Sequence, residues 1–192
     1  MIDFNFETNN ELKAGSVLVS EPFLADNYFS RSVIYLCDHN EDGSFGFVLN
    51  KHLEGTLGEL SDNLPNIGSR VSIGGPVDTS NLFYIHSLCE EVPNSIPCAN
   101  GLCIGGEFDT VKKILEEDPS KIKQVRFFIG YSGWEKGQLR NELREKSWIV
   151  LNNVSKDEIL NADNEGFWKK IMEDLGGKFK VMSKFPINPS DN

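Results

Sequence analysis

Ser32, Ser132 and Cys103, with His39 and His86, are the side chains of this chain that could combine for acyl transfer. A hydroxyl or thiol is a weak nucleophile until a base takes its proton, so such a pair must meet in space. None of the three lies in a Gly-x-Ser-x-Gly turn, and Gly130-Tyr131-Ser132-Gly133 misses that pattern. A triad would require convergence that the spacing does not show. His39 lies in a polar hairpin, where it is exposed or caps a turn. His86 ends an apolar run and reads as a hydrogen-bonded structural histidine.

Metal chemistry has less support. The histidines at 39, 52 and 86 form no His-Glu-x-x-His or His-x-His pattern, and Cys37, Cys89, Cys98 and Cys103 contain no Cys-x-x-Cys pair. The expectation is no metal and no cofactor, with Cys37 a small core hydrophobe and, for Cys98 and Cys103 five apart, buried or loop thiols favoured over a disulfide or a metal half-site. Anion binding by backbone amides is the third possibility. Gly74-Gly75-Pro76, Gly105-Gly106-Glu107 and Gly133–Gly137 could each present N–H groups. There is no Walker or Gly-x-Gly-x-x-Gly pattern, so tight turns with close backbone packing are the favoured reading.

The elements that must hold these residues follow from periodicity. Ser16–Ser20 reads as a strand. Ser32–Cys37 is apolar on both faces, as a central strand covered on both sides would be. Asp42-Gly43 between that run and Ser44–Asn50 signals a hairpin over residues 32–50. Thr56–Ser61 suggests a short helix before the turn Leu64-Pro65-Asn66. Val71–Ile73, Leu82–His86, Leu102–Ile104, Gln124–Ile129 and Trp148–Leu151 read as strands. Phe108, Val111, Ile114 and Leu115 share a helical face, with Asp109 a candidate cap. A second helix is expected over Gly137–Lys146. Ser155-Lys156-Asp157-Glu158 fits a capping box, flanked by Val154 and Ile159 as a hydrophobic staple. Phe167, Trp168, Ile171, Met172 and Leu175 form a helical stripe, and Phe179–Met182 is expected as a last strand. Residues 1–12 and Pro186–Asn192 are expected to be loose.

Strands in hairpins and mixed order argue for an α+β fold. No composition shift marks a boundary, so a single domain over residues 1–192 is expected. One segment echoes: Ile73-Gly74-Gly75-Pro76-Val77-Asp78-Thr79 returns as Ile104-Gly105-Gly106-Glu107-Phe108-Asp109-Thr110. It suggests two strands leaving a sheet by the same turn.

The 192 residues carry 19 Lys and Arg against 29 Asp and Glu, a net charge of −10, which opposes binding to phosphate backbones. The Lys112/Lys113 and Lys121/Lys123/Arg126 group and the Lys136/Arg140/Arg144 group are interleaved with acids and read as solvated mixed-charge faces. No basic region precedes an apolar segment, and Val33–Cys37 is the longest unbroken apolar run. The expectation is a cytoplasmic protein without membrane or direct nucleic-acid contact.

Gly15–Pro22, Phe29-Ser30-Arg31-Ser32-Val33-Ile34 with His39, Gly46-Phe47-Val48-Leu49-Asn50, Gly74-Gly75-Pro76-Val77 with His86, and Gly130–Leu143 together resemble the YqgE/AlgH family of bacterial proteins. The resemblance runs from about Gly15 to Leu151. It departs at Lys51-His52, where the family often has Arg-Pro, and at Glu135-Lys136, where it often has Gly-Pro or Gly-Ala. It implies a bifurcated, mainly antiparallel β-sheet forming a pseudo-barrel with flanking helices. Members are mostly uncharacterised, and some are labelled transcriptional regulators through a link to alginate production, which implies an indirect role.

Gly74, Gly105 and Gly130 each follow a strand. Aligned neighbours would cluster their exits at one end of the sheet. The expected ligand cleft is lined by Gly74, Gly75, Pro76, Gly105, Gly106, Glu107, Tyr131, Ser132 and Trp134, with His39 or His86 beside it. The leading functional expectation is a non-catalytic binding or regulatory module for a small molecule or protein partner. The alternatives are an enzyme at that cleft and a protein-interaction scaffold.

Overall fold

The computed structural model describes residues 11–60, 69–162 and 165–186. The expectations for residues 1–10, for the turn at 64–66 and for 187–192 lie outside them. The described strands are β1 (Val17–Ser20), β2 (Val33–His39), β3 (Gly43–Val48), β4 (His52–Thr56), β5 (Arg70–Ile73), β6 (Val77–His86), β7 (Ile96–Pro97), β8 (Cys103–Ile104), β9 (Val125–Glu135) and β10 (Trp148–Leu151). The helices are α1 (Leu57–Leu60), α2 (Phe108–Glu117), α3 (Gln138–Arg144), α4 (Lys156–Asn161), α5 (Glu165–Leu175) and α6 (Gly177–Met182). No described helix is long and apolar enough to cross a membrane.

The sheet order is β10-β1-β2-β3-β9-β6-β8-β7, with β4 and β5 branching off β9. Every pairing is antiparallel except β5 with β9. The fold is thus α+β, a curled sheet forming a half-barrel with several helices. The bifurcation occurs on one edge of β9. Its first half pairs β5, with Val71, Ser72 and Ile73 opposite Phe127, Phe128 and Ile129. Its second half pairs β3, with Gly46 to Gly43 opposite Ser132 to Glu135. β9 therefore runs through Gly130 to Glu135, correcting the expected strand-to-helix turn there. The cause is that β3 offers a second ladder just where β5 departs.

Alternation assigns side chains to three cores. Val17, Val19, Val33, Tyr35, Phe47, Ile85 and Phe128 point inside the half-barrel, where α4 and α5 close over them with Ile159, Phe167, Trp168 and Met172. The opposite face of β1, β2 and β10 is covered by Trp134, Leu139 and Trp148, with Phe29 and Leu143 against them. The outer face of β6 and β9 packs Tyr84 and Phe127 on Val111 and Leu115 of α2. Covered faces on both sides explain why β1 reads as a continuous buried run.

Four further expectations are corrected. Phe179–Met182 belongs to α6. Gly176 at φ 69° ends α5, and Phe179 and Met182 then sit one helical turn apart toward the interior. Asp109 lies in the first turn of α2, whose cap position is Glu107, and Glu107 instead accepts from the Thr110 hydroxyl at 3.2 Å. Cys89 and Cys103 form a disulfide rather than two thiols, because the loop after β6 returns Cys89 to within 5.7 Å (Cα–Cα) of Cys103.

Arg126 is buried rather than part of a basic surface. Its Nη1 donates to the carbonyls of Ile159, Leu160 and Ala162 at 3.1 Å each, and its Nη2 to Leu49 and to Ser72 Oγ. It neutralises the carbonyl end of α4 inside the barrel. The capping box at the other end of α4 is present as expected: Ser155 Oγ accepts from the Glu158 amide, and Glu158 reaches back to the Ser155 amide.

Candidate functional site

The expected cleft residues fall into three groups. Gly74 and Gly75 meet Tyr131 and Ser132 at the fork. The Gly74 amide donates to Ile129 at 2.8 Å, the Val48 amide to the Gly74 carbonyl at 2.9 Å, and Ser132 Oγ to the same carbonyl at 3.0 Å. Contact here is backbone on backbone: a Cβ on Gly74 would lie 2.2 Å from the Gly130 carbonyl oxygen. Pro76 follows, exposed. Tyr131 turns to the barrel mouth, edge-on to Phe45 and Phe83 at 5.2 and 5.6 Å.

The second group is Gly105, Gly106 and Glu107, across β6 from the fork, together with His86. His86 is buried, with Nε2 2.9 Å from the Gly105 carbonyl and Nδ1 accepting from the Leu88 amide at 3.2 Å. The Nε2–H tautomer satisfies both, and burial holds its pKa below the ordinary imidazole value. The Tyr84 hydroxyl closes the turn on the Gly106 carbonyl at 2.8 Å. The third group is a row across β2, β3 and β9, in which His39 Nδ1 lies 2.7 Å from Ser44 Oγ and Ser44 stands opposite Trp134. Trp134 itself points to the outer core, with its indole N–H on Glu142.

A site that the sequence reading passed over lies where two of the resembling segments, Phe29–Ile34 and Gly46–Asn50, meet. Asn50 is buried; its Oδ1 accepts from the Val33 amide and its Nδ2 donates to the Arg31 carbonyl, both at 2.8 Å. The Asp26 carboxylate accepts from the amides of Tyr28 and Phe29 at 2.7 Å, winding the preceding loop, and Lys51 donates to the Tyr28 carbonyl. These bonds hold Arg31 at φ 51°, a left-handed backbone that a non-glycine residue adopts at a cost of about 1–2 kcal/mol.

The Arg31 guanidinium lies 5.0 Å above the Trp168 ring and donates through Nη2 to the Phe185 carbonyl. Its Nε is buried and has no hydrogen-bond partner among the described residues. Phe23, Tyr28 and Phe185 are 51, 52 and 44% exposed, and the Phe23 and Phe185 rings are 6.1 Å apart. A buried donor without a partner, on a guanidinium that reaches the exposed Phe185, suits a planar anionic group. The signal available in the sequence was Asp26-Asn27 before an aromatic pair and an arginine, a turn that ends on a cation.

A separate groove of about 230 Å³ lies between the end of β10, α4 and α5. Leu151, Val154, Phe167 and Ile171 line it, with Lys170 and Asp174 also on its wall. It is smaller than the roughly 300 Å³ from which small-molecule sites usually begin. Among the described residues no group of three or more His, Cys, Asp or Glu is placed to hold a metal ion.

The profile of the AlgH-like family matches residues 17–180. A UPF0301 protein of Bacteroides fragilis is 43% identical over 195 residues, covering 98% of this chain and 96% of that protein. A UPF0301 protein of Bacteroides thetaiotaomicron is 40% identical over 194 residues, with 98% and 96% coverage. The solution structure of the AlgH protein from Pseudomonas aeruginosa superposes with a TM-score of 0.70 at 23% identity, over 95% of this chain and 98% of that one. The crystal structure of protein DIP2367 from Corynebacterium diphtheriae gives 0.71 at 22% identity, over 92% and 94%. At such identities the two structures share the fold. By the family profile and its relatives at 40% identity and above, this chain belongs to the AlgH-like family of uncharacterised UPF0301 proteins.

Proposed function

We propose that this protein is a non-catalytic binding module that captures an anionic group, on a small molecule or a protein partner, at Arg31. The observation that supports it is the buried Nε of Arg31, without a partner among the described residues, on a guanidinium that also reaches the exposed Phe185. The residues best suited to chemistry are otherwise engaged. Both ring nitrogens of His86 hold backbone groups, and the Ser132 hydroxyl holds Gly74. Any effect on transcription runs through that partner, since a net charge of −10 opposes contact with a phosphate backbone.

Thermal shift against nucleotides, sugar phosphates and dicarboxylates, on wild type and Arg31→Gln, tests the reading. A ligand at about 100 times its dissociation constant adds roughly 2.7 kcal/mol, a rise of several degrees for a chain of this size. The expected result is one anion class that raises the wild-type Tm and leaves Arg31→Gln unmoved. Equal shifts in both proteins, or none in either, reject the site.

One contact favours an enzymatic reading instead. His39 Nδ1 and Ser44 Oγ, 2.7 Å apart, are within reach for base and nucleophile. Labelling of Ser44 by a fluorophosphonate, lost in His39→Gln, would move the assignment to a hydrolase.

A further inference from the structure

The four cysteines gather in one neighbourhood, although no two are nearer than Cys98 and Cys103 in sequence. Cys103, bonded to Cys89, opens β8. Its partner strand β7 runs directly into Cys98, whose amide donates to the Leu102 carbonyl at 2.8 Å. Cys37 arrives from the barrel wall. It sits where the β2–β3 register slips between Leu36 and Asp38, a bulge that re-aims a side chain, and it faces the inner core. Tyr35, two residues earlier on the same face, clamps the 96–104 segment down by donating to the Ala99 carbonyl at 2.9 Å. Cys98 packs against the same core that Cys37 faces, with its Sγ donating to the Ile96 carbonyl at 3.9 Å, and each thiol lies near enough to the other to shift its pKa. Cys37 is buried, whereas Cys98 is partly exposed.

We propose that Cys37 and Cys98 form a reversible redox pair, in which a hydroperoxide oxidises Cys98 and Cys37 resolves it to a disulfide. In the first step the Cys98 sulfur attacks the peroxide, an S–O bond forms and the O–O bond breaks. The leaving oxygen departs with the thiol proton as an alcohol or water. In the second step the Cys37 sulfur attacks the sulfenic sulfur, the S–S bond forms, the S–O bond breaks and water leaves with the Cys37 proton. Two thiols have lost two electrons and two protons, and the peroxide has gained them.

The division of roles follows from the surroundings. The neighbouring Cys37 holds the Cys98 pKa below the ordinary thiol value, while burial pushes Cys37 well up, so Cys98 is the more readily ionised of the two. Oxidant reaches the partly exposed Cys98, and holding both residues against one core offsets the small thiolate fraction of Cys37.

The test treats the full chain, with Cys89–Cys103 intact, with hydrogen peroxide, alkylates the remaining thiols and maps a non-reducing digest by mass spectrometry. The expected product is a Cys37–Cys98 linked peptide that a thiol reductant reopens. Cys37→Ala should stop at a Cys98 sulfenic acid trapped by dimedone, and Cys98→Ser should leave Cys37 unreacted. Before oxidation, Cys98 should alkylate faster than Cys37 by about tenfold or more. Three results overturn the proposal: Cys98 overoxidised beside an alkylatable Cys37, a linked peptide joining Cys98 to Cys89 or Cys103, or neither thiol consumed. Should Cys37→Ala fail to fold, the wild-type linkage map decides alone.

Discussion

The indole nitrogens of Trp134 and Trp148 converge on one oxygen, Oε2 of Glu142, at 2.9 and 2.7 Å. The rings stand nearly perpendicular with centroids 6.2 Å apart, and Phe29 packs on both. A single carboxylate on α3 thereby ties β9 to β10, two strands that are not neighbours in the sheet.

Removing that acceptor should be costly, because two indole donors in the outer core lose their partner together. Glu142→Leu is expected to destabilise the fold by about 2–4 kcal/mol, and Glu142→Gln, which keeps one acceptor oxygen, by about half as much. Urea unfolding followed by tryptophan emission measures both. An unchanged midpoint for Glu142→Leu would show that the shared oxygen contributes nothing.

At the fork, Gly130 has φ 67°, and a Cβ there would lie 2.6 and 2.8 Å from the carbonyl oxygens of Gly75 and Val77. Gly137 has a similar φ of 75° with nothing within 4 Å of the added atom. Gly137→Ala should therefore carry only the left-handed backbone cost of about 1 kcal/mol, and Gly130→Ala clearly more, about 3 kcal/mol. Equal losses in a denaturant titration would mean that the close backbone approach at the fork is not what requires glycine.

His86 sets a pH dependence whose sign is fixed. Burial lowers its folded pKa, so between the folded and unfolded values the unfolded chain binds more protons and stability rises with pH. The contribution is complete above the unfolded value, about 6.5, and is lost as pH falls below it. Glu158, held low by its hydrogen bonds with Ser155, acts in the same direction but only below the ordinary carboxylate range, so the two effects separate. Urea midpoints between about pH 8 and pH 5 should fall for wild type and stay flatter for His86→Gln. Parallel profiles would remove His86 as the cause.

Much of the fold was legible because its determinants are local. Asp42-Gly43 between apolar runs marks the β2–β3 hairpin, which the structure contains with Ile34 opposite Val48. Ser155 and Glu158 announce the start of α4 within four residues. The α5 stripe was visible in Phe167, Trp168 and Met172, all buried. What misled was equally local. Phe179-Lys180-Val181 alternates as a strand would, yet Phe179 and Met182 face inward from a helix.

The candidate site was hardly legible. Tyr131 and the Gly74-Gly75 turn were identified, and the structure does join them, but Gly105–Glu107 sits across β6 with His86. Arg31 was quoted only as part of a resembling segment, since the groups its guanidinium meets, the Trp168 ring and the Phe185 carbonyl, lie far away in the chain.

The repeated Ile-Gly-Gly segment shows where the division falls. Both copies end a strand at a Gly-Gly turn, as the five residues they share at the same spacing dictate. The first copy then stays extended, because Val77 finds the free edge of β9 opposite Tyr131, and Asp78 takes φ 52°. The second copy winds into α2, because Phe108 finds the Tyr84 and Phe127 rings at 5.7 and 6.4 Å. Local sequence determined where each strand stops, through the backbone freedom of glycine. Partners far away in the chain decided what comes next, because an unpaired edge and an uncovered apolar face are properties of the assembled sheet.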